Sequence, residues 1–168
     1  TNEFRRSSYY LTCDRVNGVL TVYTDSTMRI PIKTIRVSVG KAGTETPTGT
    51  WTMHRAGRWQ ELMGPSWGQY GTHVVNGIFV HSVACGQANS YNLPVGEYLR
   101  LGNPASHGCI RACVADAKWV WDNCNGSKIR IFDGTYTSNE ALKGPLGRKA
   151  LTPLRGSKNF DPTDPACK

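Results

Sequence analysis

The sequence predicts a mainly β fold with a single helix, and three observations carry that prediction. Eighteen glycines and nine prolines in 168 residues cut the chain into short segments. Most of those segments are rich in Val, Ile, Thr and Tyr, and several alternate apolar with polar residues, as a half-buried strand does. Apolar residues recur at helical spacing in one stretch only, residues 114–124.

The elements follow in order. "SYYLTCDRVNGVLTVYT" reads as a hairpin, with β-rich arms around Asn17-Gly18, a strong two-residue turn signal. "RIPIKTIRVSVG" continues as strand and ends at Gly40, and "KAGTETPTG" is a loop punctuated by Pro47 and Gly49. "TWTMH" resumes as strand. Residues 55–73 read as irregular. "NGIFVHSV" is a short apolar strand that delivers His81 at its end, and residues 84–105 read mostly as loop. In "VADAKWVWDNC", Val114, Ala117, Val120 and Trp121 lie on one helical face, and Asp116 sits near the start, where the helix dipole favours an acid. Gly126 ends this helix and "SKIRIFD" is the last strand. The length suits one domain, expected over residues 1–136. Residues 137–168 are expected as a Pro-rich C-terminal strap lying extended on the surface of the same domain.

Composition narrows the function. The net charge of +8 favours anionic partners. The basic residues are scattered, in pairs such as Arg5-Arg6 and Arg148-Lys149, with no basic helical stripe and no RNA-binding aromatic motif, so no nucleic-acid partner is expected. No run approaches the roughly 18 apolar residues of a membrane span. "TNEFRRSSYY" is not a signal peptide, and since the chain does not begin with Met, a leader or anchor could have preceded it. A monomer is expected. The six cysteines, with no Cys-x-x-Cys among them, suggest an oxidising, extracytoplasmic compartment.

The chemistry concentrates in "PASHGCIRAC", residues 104–113. Gly108 permits a tight turn before Cys109, and the helix is expected to begin just after it, where its dipole would favour the thiolate. Backbone N–H groups at such a turn suit an oxyanion. These are parts of an acyl-transfer site; the competing reading is a structural, disulfide-bonded Cys109. A cysteine nucleophile needs a base. Of the four histidines, His54 and His73 read as ordinary surface or core residues. His81, on a strand end, is preferred as the base, with His107 supporting it or touching substrate. Arg111 suits a carboxylate ligand in fork geometry, or pairs with Asp116. A zinc site from His81, Cys85, His107 and Cys109 has the right ligand types, but its spacing matches no familiar metal pattern, and neither metal nor cofactor is expected.

His81 followed by Ser106-His-Gly-Cys109-Ile-Arg resembles the signature of the L,D-transpeptidase catalytic (YkuD) domain. "VSVGKAGTETPTGTW", "FVHSV" and "DAKWVWDNCNGSKIRIF" resemble further stretches of that family in the same order, together spanning about residues 9–133. The resemblance implies a β-sandwich-like fold, with the helix after a catalytic cysteine at one edge. It implies that Cys109 attacks the third residue of a donor tetrapeptide stem of peptidoglycan, releases D-Ala, and passes the acyl group to a side-chain amine on a neighbouring stem. Carbapenems would acylate the same thiol. His81 would be the base, oriented by a backbone carbonyl, with His107 and Gly108 in the catalytic segment and Ser82, Ser106 and Arg111 against substrate. With water as acceptor the site would be an L,D-carboxypeptidase. An inactive wall-binding module and a papain-like peptidase are the rivals; the latter usually places Cys before His in the chain. Cys85 and Cys113 stand where relatives are expected to lack cysteine, and a bridge between them is expected. A second, Cys13 to Cys167, would clamp the tail, with Cys124 an equal candidate partner.

Overall fold

The structure is a computed structural model that describes residues 8–156 and 159–167; the Arg5-Arg6 pair lies outside the described residues. The first hairpin forms from β1 (Tyr10–Asp14) and β2 (Val19–Tyr23). Its connection is longer than the Asn-Gly signal implies. Residues 15–18 make the loop, the Gly18 N–H donates to Asp14 O at 3.0 Å, and the Asp14 carboxylate accepts the Val16 N–H at 2.9 Å and the Asn17 amide Nδ2–H at 2.8 Å. The buried aspartate, rather than a tight two-residue turn, organises the reversal.

β3 (Pro31–Arg36) pairs with β2, and β4 (Gly49–Thr52) with β11 (Lys128–Phe132), which lies parallel to β1. The five-stranded sheet therefore runs β3-β2-β1-β11-β4. The second sheet runs β10-β9-β8-β5, from β5 (His54–Arg55), β8 (Thr72–Val75), β9 (Ile78–Ser82) and β10 (Ile110–Ala112). Alternation along the strands turns Leu11, Leu20, Val22, Ile35, Ile129 and Ile131 inward from the first sheet, against Val74, Val80 and Ile110 of the second. Each such side chain contributes about 1.5–3 kcal/mol on burial, so this shared core holds the two sheets face to face.

Three elements depart from the sequence reading. Residues 55–73 are not irregular: β6 (Trp59–Leu62) and β7 (Ser66–Gln69) form a two-stranded ribbon within them. A five-residue helix, α1 (Val95–Leu99), interrupts the expected loop and buries Tyr98. The main helix, α2 (Val114–Asn123), does not begin directly after Cys109, because β10 intervenes.

The tail is fastened to the rest of the chain by buried polar contacts. Arg148 reaches inward to Asn17 O at 2.9 Å and Gly102 O at 2.7 Å while gripping the Glu140 carboxylate. Further on, Phe160, Asp161 and Asp164 are buried. The Asp161 carboxylate accepts the Val114 N–H at 2.8 Å, which supplies the first turn of α2 with the cap that its own N-terminal residue, Cys113, does not provide.

Candidate active site

Parallel pairing of β9 with β10 builds the site. In register, Val80 faces Ile110, His81 faces Arg111 and Ser82 faces Ala112. A parallel pair needs a long crossover. The chain between His81 and Ser106, with α1 in it, is that crossover. Cys109, one residue ahead of β10, is thereby set beside Phe79. The Phe79 N–H donates to Cys109 Sγ at 3.4 Å, and the thiol approaches Gly77 O at 3.5 Å.

The turn before the thiol is held rigidly. Gly108 has φ +131°, a conformation that favours glycine, and a Cβ there would stand 2.9 Å from Ile78 Cδ1, the movable end of a side chain, so the backbone rather than the space requires glycine. Ser106 is buried; its hydroxyl donates to Cys109 O at 2.5 Å and accepts the Gly108 N–H at 3.1 Å. The Gly108 N–H thus serves the turn's own structure. Thr46, fully buried in the Thr-Pro-Thr-Gly loop, donates to Gly108 O at 2.6 Å and accepts the Gly40 N–H at 2.9 Å. That loop ties the first sheet's edge to the turn carrying the thiol.

His81 is buried. Its Nδ1 meets Ser82 O; since a carbonyl only accepts, Nδ1 carries the proton of the neutral ring. Nε2 is buried with no hydrogen-bond partner among the described residues. Burial drives the His81 pKa down to about 4, with the Arg111 charge adding to the fall and the Ser82 carbonyl opposing it. Burial likewise raises the Cys109 pKa, offset in part by the Phe79 N–H and Arg111. The resting pair is therefore a neutral thiol and a neutral imidazole. The expectation of a thiolate set by a helix dipole fails, because the helix N-terminus belongs to Cys113, four residues beyond.

The two side chains share a cavity of about 310 Å³, lined also by Ser106, His107, Arg111 and Met63. His107 is solvent-exposed and lies at the border with a second, more open cavity of about 450 Å³. Arg111 also borders both. It does not pair with Asp116: its guanidinium bonds Glu97 of α1 at 2.8 Å, and Asp116 pairs with Lys33 at 3.1 Å. Ser82 contributes from behind the imidazole, its carbonyl holding Nδ1 and its hydroxyl accepting the Gln69 N–H at 2.8 Å.

Sequence reasoning passed over Thr46, Glu97 and the Gly68-Gln69 pair. A Cβ on Gly68 would lie 2.6 Å from His81 Nδ1, so β7 packs its bare backbone on the imidazole. The Gly in "SWGQY" was the available signal, masked by the irregular reading of its surroundings.

All six cysteines are thiols in this structure, so neither expected bridge forms. The Cys85 thiol donates to Gln87 O at 2.9 Å, and the Cys113 thiol to Asp116 Oδ2 at 3.2 Å. Burial and the Asp116 charge push Cys113 up to about 12. Cys13 points into the core from the middle of β1, and Cys167 lies in the tail turn, where the Cys167 N–H donates to Asp164 O. Cys124 is buried in the same core as Cys13. Among the described residues no group of three or more His, Cys, Asp or Glu side chains is placed to hold a metal ion.

Comparison with known proteins agrees with this architecture. The family described as the L,D-transpeptidase catalytic domain matches residues 8–144. A 27-residue stretch, 16% of this chain and 14% of the other, is 59% identical to the putative L,D-transpeptidase YciB of Bacillus subtilis (strain 168). An L,D-transpeptidase from Mycobacterium smegmatis superposes with TM-score 0.56 at 21% identity, over 74% of this chain and 58% of that one. One from Mycobacterium tuberculosis H37Rv gives 0.59 at 19%, over 75% and 58%. LdtMt1, solved in complex with imipenem, gives 0.57 at 20%, over 74% and 59%. The chain thus spans a little over half the length of these solved proteins.

Proposed function

The chain belongs to the L,D-transpeptidase catalytic-domain family, and from that premise we propose that it is a cysteine-dependent acyltransferase acting on peptidoglycan stem peptides outside the cytoplasm. The observation that carries the reading is the meeting, in one cavity, of the Cys109 thiol with an imidazole whose Nδ1 is tied to Ser82 O and whose Nε2 has no partner among the described residues. Nε2 is the free basic nitrogen of the neutral ring, so it takes the thiol proton as Cys109 attacks the carbonyl of the third stem residue. The imidazolium then protonates the departing D-Ala amine, leaving a thioester. An amine from a neighbouring stem attacks this thioester, giving a cross-link between third residues and restoring the thiol. Arg111 and Ser106 line the cavity that would hold the donor stem.

Water in place of the amine would give a carboxypeptidase from the same thioester. The half-exposed thiol and the open second cavity beside it leave room for a bulky acceptor, which favours the transferase. Mass spectrometry of products from a disaccharide-tetrapeptide tests this. Dimers linked between third residues are expected with wild type and none with Cys109→Ala; trimmed tripeptide alone would assign a carboxypeptidase. Incubation with a carbapenem should add its mass to wild type and not to Cys109→Ala. The absence of any adduct on wild type would favour an inactive wall-binding module.

A further inference from the structure

The tail reaches the back of the catalytic histidine through one side chain. Gln69, at the end of β7, is buried, and its backbone N–H and both ends of its side-chain amide are hydrogen-bonded. Its N–H donates to Ser82 Oγ at 2.8 Å, its Oε1 accepts from Arg58 at 2.8 Å, and its Nε2 donates to Asp164 Oδ2 at 3.0 Å. Arg58 and Asp164 thus fix the amide in one orientation, since reversing it would set donor against donor and acceptor against acceptor. The residue before it, Gly68, lies against the imidazole, and the residue it grips, Ser82, holds Nδ1. β7 therefore clasps the His81-Ser82 dipeptide at ring, carbonyl-bearing residue and hydroxyl together.

Asp164 is an unusual choice for mere packing. It is 3% exposed, its oxygens accept from Gln69 and from the Ala166 N–H at 2.9 Å, and among the described residues no ion pair forms with it. Burying a carboxylate without a cation is costly. The same turn also grips the exit of β10: Asp161 takes the Val114 N–H and Thr163 Oγ1 the Ala115 N–H at 3.1 Å. One short turn of the tail therefore reaches, through Gln69, the strand that ends in His81-Ser82 and, at the first residues of α2, the chain leaving the strand headed by Cys109.

We propose that Gln69 and Asp164 are positioning residues for His81, so that the C-terminal turn over residues 161–167 is a working part of the acyl-transfer site rather than a surface strap. This rests on the reading of His81 as the base. A misaligned imidazole slows proton transfer without altering how the stem peptide or a carbapenem is held, so the effect falls on the rate and not on binding.

The test is stopped-flow acylation of the full chain by a carbapenem, with wild type, Gln69→Ala, Asp164→Asn and His81→Ala compared. Both positioning variants are expected to lose about tenfold in limiting acylation rate with the half-saturating concentration unchanged. Histidine-labelled nitrogen NMR gives a readout that a structural role would not move. At neutral pH the wild type should show His81 as a single Nδ1-protonated tautomer, and the variants a shifted or exchanging signal. Folded variants that acylate at the wild-type limiting rate, while His81→Ala remains slow, would overturn the positioning role and leave the base in place. A His81→Ala protein that acylates like wild type would remove the base reading and the positioning role with it. A wild-type imidazole protonated on Nε2, or a mixture of tautomers, would also overturn it without recourse to any variant.

Discussion

The Cys109 and His81 side chains rest uncharged because His81 is buried and Cys109 is partly withdrawn from water, and the consequence is measurable as pH dependence. An unfolded chain protonates His81 near its ordinary value of about 6.5, whereas the folded chain resists until about pH 4. Between those values the unfolded state binds more protons, so stability falls as pH drops through that window, by about 3 kcal/mol at most. Above the window the contribution is fully present. Denaturant midpoints from pH 7 to 4.5 should fall more steeply for wild type than for His81→Gln; parallel slopes would show that the imidazole is not buried neutral. The same depression keeps the His81 imidazole neutral in mild acid, so with His81 as the proposed base the acid limb of activity should lie well below that of an ordinary histidine. At this scale the sequence was informative about identity: Cys109, His81, Gly108 and Ser106 all line or build one site. It was silent about partners. Arg111 gave no sign that it would choose Glu97 over Asp116, because Glu97 is brought near only by the crossover.

Among the elements, α2 shows how a local signal can be right about type and wrong about origin. The apolar spacing of Val114, Ala117 and Val120 marks the helix correctly, and all three are buried. Its start was read too close to Cys109, since three residues of β10 are too few to register as alternation. Its cap is not local at all: Cys113 offers no side-chain hydrogen bond, and Asp161 reaches in from 47 residues away. Asp161→Ala should cost about 0.5–2 kcal/mol in thermal or chemical denaturation and fray the first turn of α2, visible as faster amide exchange at Val114 and Ala115. Unchanged exchange at those two amides would show that the cap is dispensable. The β6 and β7 ribbon was missed for a related reason. Its strands read Trp-Gln-Glu-Leu and Ser-Trp-Gly-Gln, with no regular apolar alternation, and it exists because it pairs with itself and leans on β9.

For the whole molecule, the thiols decide between two ways of holding the tail. Six cysteines in a chain of this size imply bridges by base composition alone. The structure instead fastens the tail through Arg148, Asp161 and Asp164 and leaves six thiols. Protein purified without reductant and then denatured should therefore titrate six thiols; four would restore one bridge, and two would restore both. The sequence by itself determined the mainly β class, the order of most strands, the helix, the family signature and several of the residues that line the cavity, because all of these are written in spacing and residue type along the chain. The tertiary structure decided what the spacing could not carry: the parallel register that sets Cys109 beside Phe79, the burial that leaves thiol and imidazole neutral, and the reach of the tail to Gln69. Those depend on residues far apart in sequence becoming neighbours, and burial and hydrogen-bond choice are properties of the neighbour as much as of the residue.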